Sequence, residues 1–88
     1  GYGDAFHGEA CDHILLRGNS FNGAPSGRNA GGDIAHETVK FNQSQYIYIE
    51  NNNIQGADDN GIDWVAVQYG HIRANRIHDT QGWCAYVK

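Results

Sequence analysis

Three stretches decide the reading of this chain: His13-Ile14-Leu15-Leu16-Arg17-Gly18-Asn19-Ser20-Phe21, Tyr46-Ile47-Tyr48-Ile49-Glu50-Asn51-Asn52-Asn53-Ile54 and Tyr69-Gly70-His71-Ile72-Arg73-Ala74-Asn75-Arg76-Ile77. Each sets apolar residues at alternate positions, then an Asn, one free residue and an Ile or Phe. Alternation with period 2 marks a strand with one buried face. Asn19 and Asn52 are 33 residues apart, and Asn52 and Asn75 are 23 apart. A step in the low twenties built on such strands points to a parallel β-solenoid, whose rounds stack on one another. The surplus of the longer step falls at 22–32, a Gly, Pro, Asn and Ser stretch that reads as a loop excursion.

A second strand follows each Asn. Gly61–Val67 and Gly82–Lys88 both begin at Gly and run apolar, and Ile34–Phe41 is their counterpart in the longer round. Rounds that stack at the strand spacing of roughly 4.8 Å set equivalent residues above one another. Leu16, Ile49 and Ile72 then form one interior row, and Phe21, Ile54 and Ile77 another. Asn19, Asn52 and Asn75 form an amide ladder that bonds backbone in the neighbouring round.

Composition agrees. Of 88 residues 12 are Gly and one is Pro, Met is absent and charged residues are 18%, which suits turns and strands and not helical bundles. No apolar run approaches the roughly 20 residues of a membrane helix. A net charge of −4, with scattered Lys and Arg, argues against nucleic acid as partner. Cys11 and Cys84 fit either one disulfide or two separate thiols, and no paired Cys or His has zinc-ligand spacing.

The Asn-x-Ile/Phe turns, the 23-residue step and the run Gly61–Val67 resemble the right-handed parallel β-helix of pectate-lyase-like proteins. The expected fold is therefore all-β, with residues 1–88 a partial parallel β-helix domain of about three coils without evident caps. The resemblance implies a piece of a longer, secreted or extracellular bacterial solenoid, with the periplasm as a second location. It implies a polysaccharide as partner, without nucleic acid or membrane, and open ends that meet flanking coils or self-associate. Related families are largely lyases and hydrolases of acidic polysaccharides, although fold alone does not carry function. The expected activity is β-elimination on an acidic glycan; the alternative is a non-catalytic scaffold for carbohydrate binding or adhesion.

Two groups of residues carry that expectation. Asp58, Asp59 and Asp63 lie within six residues and offer oxygen ligands to Ca²⁺, or else form an Asp-Asn-Gly turn between strands. Glu37, Asp63 and Cys84 are expected in one column, followed along the strands by Val39, Val65 and Tyr86 and then by Phe41, Val67 and Lys88. β-Elimination requires neutralisation of the substrate carboxylate and a base for the proton α to it. Glu37, Asp63 and Lys88 are the candidates, with Tyr86 as a stacking or proton-donating neighbour. His36-Glu37 and His78-Asp79 are adjacent in sequence, where strand geometry points neighbours to opposite faces. Trp64 and Trp83 fill the core if inward and offer sugar-stacking rings if outward.

Overall fold

A computed structural model describes residues 4–23, 37–57 and 59–88. The strands run in chain order as β1 (Phe6–Glu9), β2 (Asp12–Arg17), β3 (Ser20–Asn22), β4 (Val39–Asn42), β5 (Gln45–Glu50), β6 (Asn53–Gln55), β7 (Ile62–Val65), β8 (Gln68–Arg73), β9 (Arg76–His78) and β10 (Ala85–Val87). Among the described residues there is no helix. The fold is all-β, with every pairing parallel: β1-β4-β7-β10 in a first sheet, β2-β5-β8 in a second and β3-β6-β9 in a third. Successive strands visit the three sheets in turn, and each return lands beside the strand laid down before.

The corners between sheets are made by single residues with positive φ, and these too stack. Ala10, Gln43 and Ala66 (φ 51, 51 and 55°) turn the chain from the first sheet to the second. His13, Tyr46 and Tyr69 (60, 57 and 60°) kink the start of the second-sheet strands. Asn51 and Ala74 (both 56°) stand level with Gly18 (72°) at the next corner. Left-handed backbone is uncommon outside Gly and Asn, and its repetition at equivalent positions fixes where each strand begins. Gly70 is required where its equivalents are Ile14 and Ile47: at φ 152° a Cβ would lie 2.0 Å from the Ile47 carbonyl oxygen.

Inward-facing rows build one core. Leu16, Ile49 and Ile72 stand in register, as do Phe21, Ile54 and Ile77. Val39, Phe41, Ile47, Ile49, Ile54 and Ile62 are fully buried, with Trp64 beside them. At about 25 cal/mol per Å² these rows are the main stabilising term. The Asn row satisfies the backbone at a corner. The Asn52 amide donates to the Leu16 carbonyl and the Asn75 amide to the Ile49 carbonyl, both at 2.9 Å. In return Asn52 Oδ1 accepts the Asn19 N–H, and Asn75 Oδ1 accepts the Asn52 N–H, again at 2.9 Å.

The first-sheet register departs from expectation. Lys40, not Glu37, stands beside Asp63, and Tyr86, not Cys84, stands on its other side. Val39 pairs with Ile62 and Asn42 with Val65, while Phe41 pairs with Trp64 and Trp64 with Val87. Lys88 continues that pairing past Val87, its N–H donating to the Trp64 carbonyl at 2.8 Å and its carbonyl accepting the Ala66 N–H at 3.1 Å. The physical reason is that the 23-residue step holds through the whole round. Gly61 and Gly82, 21 residues apart, both precede apolar runs but occupy different rungs, and Gly61 lies beside Cys84.

Candidate functional site

The outer face of the first sheet carries a row of His7, Lys40, Asp63 and Tyr86. Alternation along β4 and β7 sends Val39, Phe41, Ile62 and Trp64 inward, so Lys40 and Asp63 point the other way. Asp63 is nonetheless only 1% exposed. Lys40 Nζ donates to Asp63 Oδ2 at 2.9 Å, and the Asn60 amide reaches Asp63 Oδ1 at 3.5 Å. Lys40 Nζ also lies 4.0 Å from Glu37 Oε2. The two carboxylates expected as column neighbours therefore share one ammonium that sequence reasoning missed. Its signal was present: Lys40 precedes Asp63 by 23 residues.

Burial pushes the Glu37 carboxyl above its ordinary value, against the pull of Lys40. Burial alone would lower the Lys40 ammonium, but the hydrogen bond to Asp63 and the charges of Glu37 and Asp63 outweigh it and hold it above its ordinary value. Lys40 is thus held by both carboxylates at once. Tyr86 and Lys88 lie farther along the same face and remain exposed, with Lys88 Nζ 5.2 Å from the Tyr86 ring centroid. Trp83 is exposed, whereas Trp64 is in the core.

Asp58 lies outside the described residues. Asp63 would have to give up the Lys40 ammonium to ligate a cation, and among the described residues no group of three or more His, Cys, Asp or Glu side chains is arranged to hold a metal ion. What the acidic stretch visibly does is structural: the Asn60 side-chain oxygen accepts the Trp83 N–H at 2.9 Å, and the Asp59 carbonyl accepts the Gly82 N–H at 2.8 Å. Cys11 and Cys84 are free thiols. No family model, curated protein or solved structure matches this chain.

The outer face of the second sheet is built differently. His13 stacks on Tyr46 (centroids 4.5 Å, planes 13° apart), and Tyr46 on Tyr69 (5.1 Å, 18°). The next outward row sets Leu15, Tyr48 and His71 in register, and the one after it Arg17, Glu50 and Arg73. Glu50 lies 2.8 Å from His71 Nε2, 3.3 Å from Arg73 and 3.5 Å from Arg17. The hydrogen bond from His71 holds the Glu50 carboxyl below its ordinary value, and the two guanidinia add to it. His36 lies outside the described residues. His78 does meet Asp79, Nδ1 to Oδ2 at 2.8 Å, because Asp79 is at φ 57° and leaves the strand.

Proposed function

We propose that this chain is a stretch of right-handed parallel β-helix from a secreted carbohydrate-active protein, and that the outer face of its first sheet holds an acidic glycan. The cyclic order of strands through three parallel sheets supports the β-helix. The observation that carries the functional reading is Lys88 set over Tyr86 on an exposed face. An ammonium suits the carboxylate of a uronate, and an exposed aromatic ring suits the C–H face of a pyranose.

The same pair supports a catalytic form of this reading, polysaccharide lyase chemistry. In this form Lys88, as the neutral amine, takes the proton α to the uronate carboxylate, a C=C bond forms as the bond from the β carbon to the departing oxygen breaks, and Tyr86 donates a proton to that oxygen, which leaves the sugar unsaturated. Flanking coils, or Ca²⁺ held by Asp58 and Asp59, would then neutralise the substrate carboxylate. The hold of Lys40 on Glu37 and Asp63 favours the non-catalytic form, since both carboxylates are already engaged. The test is incubation with pectate, alginate, hyaluronan and chondroitin, with Ca²⁺ and with chelator, followed by ultraviolet absorbance of unsaturated products. Absorbance that disappears in Lys88→Ala establishes the lyase. Silence on all four, with Lys88-dependent binding of one polymer, establishes the binding form; neither absorbance nor binding overturns both.

A further inference from the structure

The corner where the first sheet passes into the second holds an open groove of ≈ 320 Å³, lined among others by Cys11, Asp12, Gln43, Ser44, Gln45 and Gln68. That volume lies within the roughly 300–1,000 Å³ of small-ligand clefts. Stacking generates its chemistry. Asp12, Gln45 and Gln68 occupy one rung position in three successive rounds, and Gln43 sits at the positive-φ corner between Ala10 and Ala66. Ser44 forms part of the inner wall and is spent on structure: its hydroxyl oxygen accepts the Cys11 N–H and its hydroxyl donates to the Asn42 carbonyl, both at 3.0 Å. Gln45 Nε2 donates to Asp12 Oδ2 at 3.1 Å, which leaves its carbonyl oxygen open. Among the described residues no hydrogen bond engages the side chains of Gln43 or Gln68.

Three primary amides and one carboxylate, with no Lys, Arg or His in the lining, define a ligand class. An amide both donates and accepts, as a sugar hydroxyl does, and a carboxylate accepts from a hydroxyl. A uronate or sulfate would meet the Asp12 carboxylate with no Lys or Arg in the lining to offset it, and the His13 beside Asp12 is already engaged by that carboxylate, so the groove favours an uncharged ligand. The residue after each of Asp12, Gln45 and Gln68 is a ring of the His13–Tyr46–Tyr69 stack, and the His13 imidazole touches the Asp12 carboxylate. Centroid separations of 4.5 and 5.1 Å, with planes 13° and 18° apart, make a near-parallel stack whose last ring, Tyr69, is 65% exposed. The rows repeat at the strand spacing of roughly 4.8 Å, close to the length of one pyranose unit.

We propose that this corner groove binds a neutral glycan that runs along the stacking direction, its hydroxyls on Gln43, Gln45, Gln68 and Asp12 and a sugar ring against the exposed Tyr69. The site is separate from the first-sheet face and takes a ligand of different charge. The experiment is calorimetric titration of the 88-residue chain with xylohexaose, mannohexaose and cellohexaose, and with a galacturonate oligomer for contrast. Saturable binding of at least one neutral hexaose is expected. It weakens about tenfold or more in Gln45→Ala/Gln68→Ala, the scale of one or two lost hydrogen bonds, and is unchanged in Lys88→Ala. Tyr69→Ala is the second probe, and unaltered circular dichroism certifies each variant as folded. No saturable binding of any neutral hexaose, or binding indifferent to both the Gln pair and Tyr69, overturns the proposal. So does binding confined to the galacturonate oligomer and lost in Lys88→Ala, although that outcome would uphold the first-sheet reading.

Discussion

On the first sheet one ammonium is shared by two carboxylates, Glu37 and Asp63; on the second one carboxylate, Glu50, is shared by two guanidinia and an imidazole. Both arrangements follow from parallel stacking in register, where like charges one strand apart repel and alternating charges attract. They differ in depth. Asp63 is 1% exposed, whereas the side chains of Arg17 and Arg73 are 61% and 69% exposed. Equal charge counting thus hides unequal dependence: the first cluster is tied to the packing of the sheet on both sides, while in the second Glu50 is buried, at 8% exposure, but the guanidinia that neutralise it stand in solvent, where water and salt screen them.

The sharpest way to break this contrast is Lys40→Met, which leaves Asp63 buried without a counter-charge. We expect a loss on the order of 3 kcal/mol by urea unfolding. Lys40→Met with Asp63→Leu should recover most of it, because an apolar pair of similar volume removes the uncompensated charge. A loss in the single variant of only ~1 kcal/mol or less, typical of surface pairs, would make the two clusters alike.

Next in size is Tyr46→Ala on the second sheet. It removes the middle ring of the stack and should cost about 1–2 kcal/mol, from two aromatic contacts of about 0.5–1.5 kcal/mol each offset by solvent exposure. Glu50→Gln should have a smaller effect at pH 7, and raised salt should shrink it further, while the effect of Lys40→Met should survive salt.

Acidity separates the clusters by sign. Glu50 titrates below its ordinary 4.5 in the folded chain, so the stability it contributes is complete above about 4.5 and is lost as pH falls through the lowered value. Glu37 titrates above 4.5, so its charged form weakens the fold, and stability rises as pH falls through the raised value. Unfolding free energy followed from pH 7 to pH 3 should therefore lose its acid-side fall in Glu50→Gln and its preceding rise in Glu37→Gln. At the alkaline end, the Lys40 contribution is complete below about 10.5 and is lost as pH climbs through its raised value. Identical profiles in all three proteins would mean that neither carboxylate is linked to folding.

The second and third sheets were legible because a period-2 pattern and an Asn every round fix register twice over. The rows Leu16/Ile49/Ile72 and Phe21/Ile54/Ile77 follow directly. The first sheet was not read correctly because Gly61 and Gly82 look like equivalent strand starts. Carrying the 23-residue step from Asn52–Asn75 onward would have put Asp63 opposite Lys40 and Tyr86. The corner into the second sheet carried no usable signal, since Ala10, Gln43, Tyr46 and Ala66 are not residues that announce positive φ. For the same reason the corner groove was invisible: Gln45 and Gln68 converge only after the backbone has turned there.

The three connections of each round are unequal in one respect. Two residues join β1 to β2, β4 to β5 and β7 to β8, and two join β2 to β3, β5 to β6 and β8 to β9. All variation in length lies in the third connection, between Asn22 and Val39 in one round, Gln55 and Ile62 in the next and His78 and Ala85 in the last. Two corners set the gauge and the third is a port. A foreign peptide grafted there should leave both the amide ladder and the aromatic stack in place, whereas one added residue at either gauge corner would throw every later rung out of line.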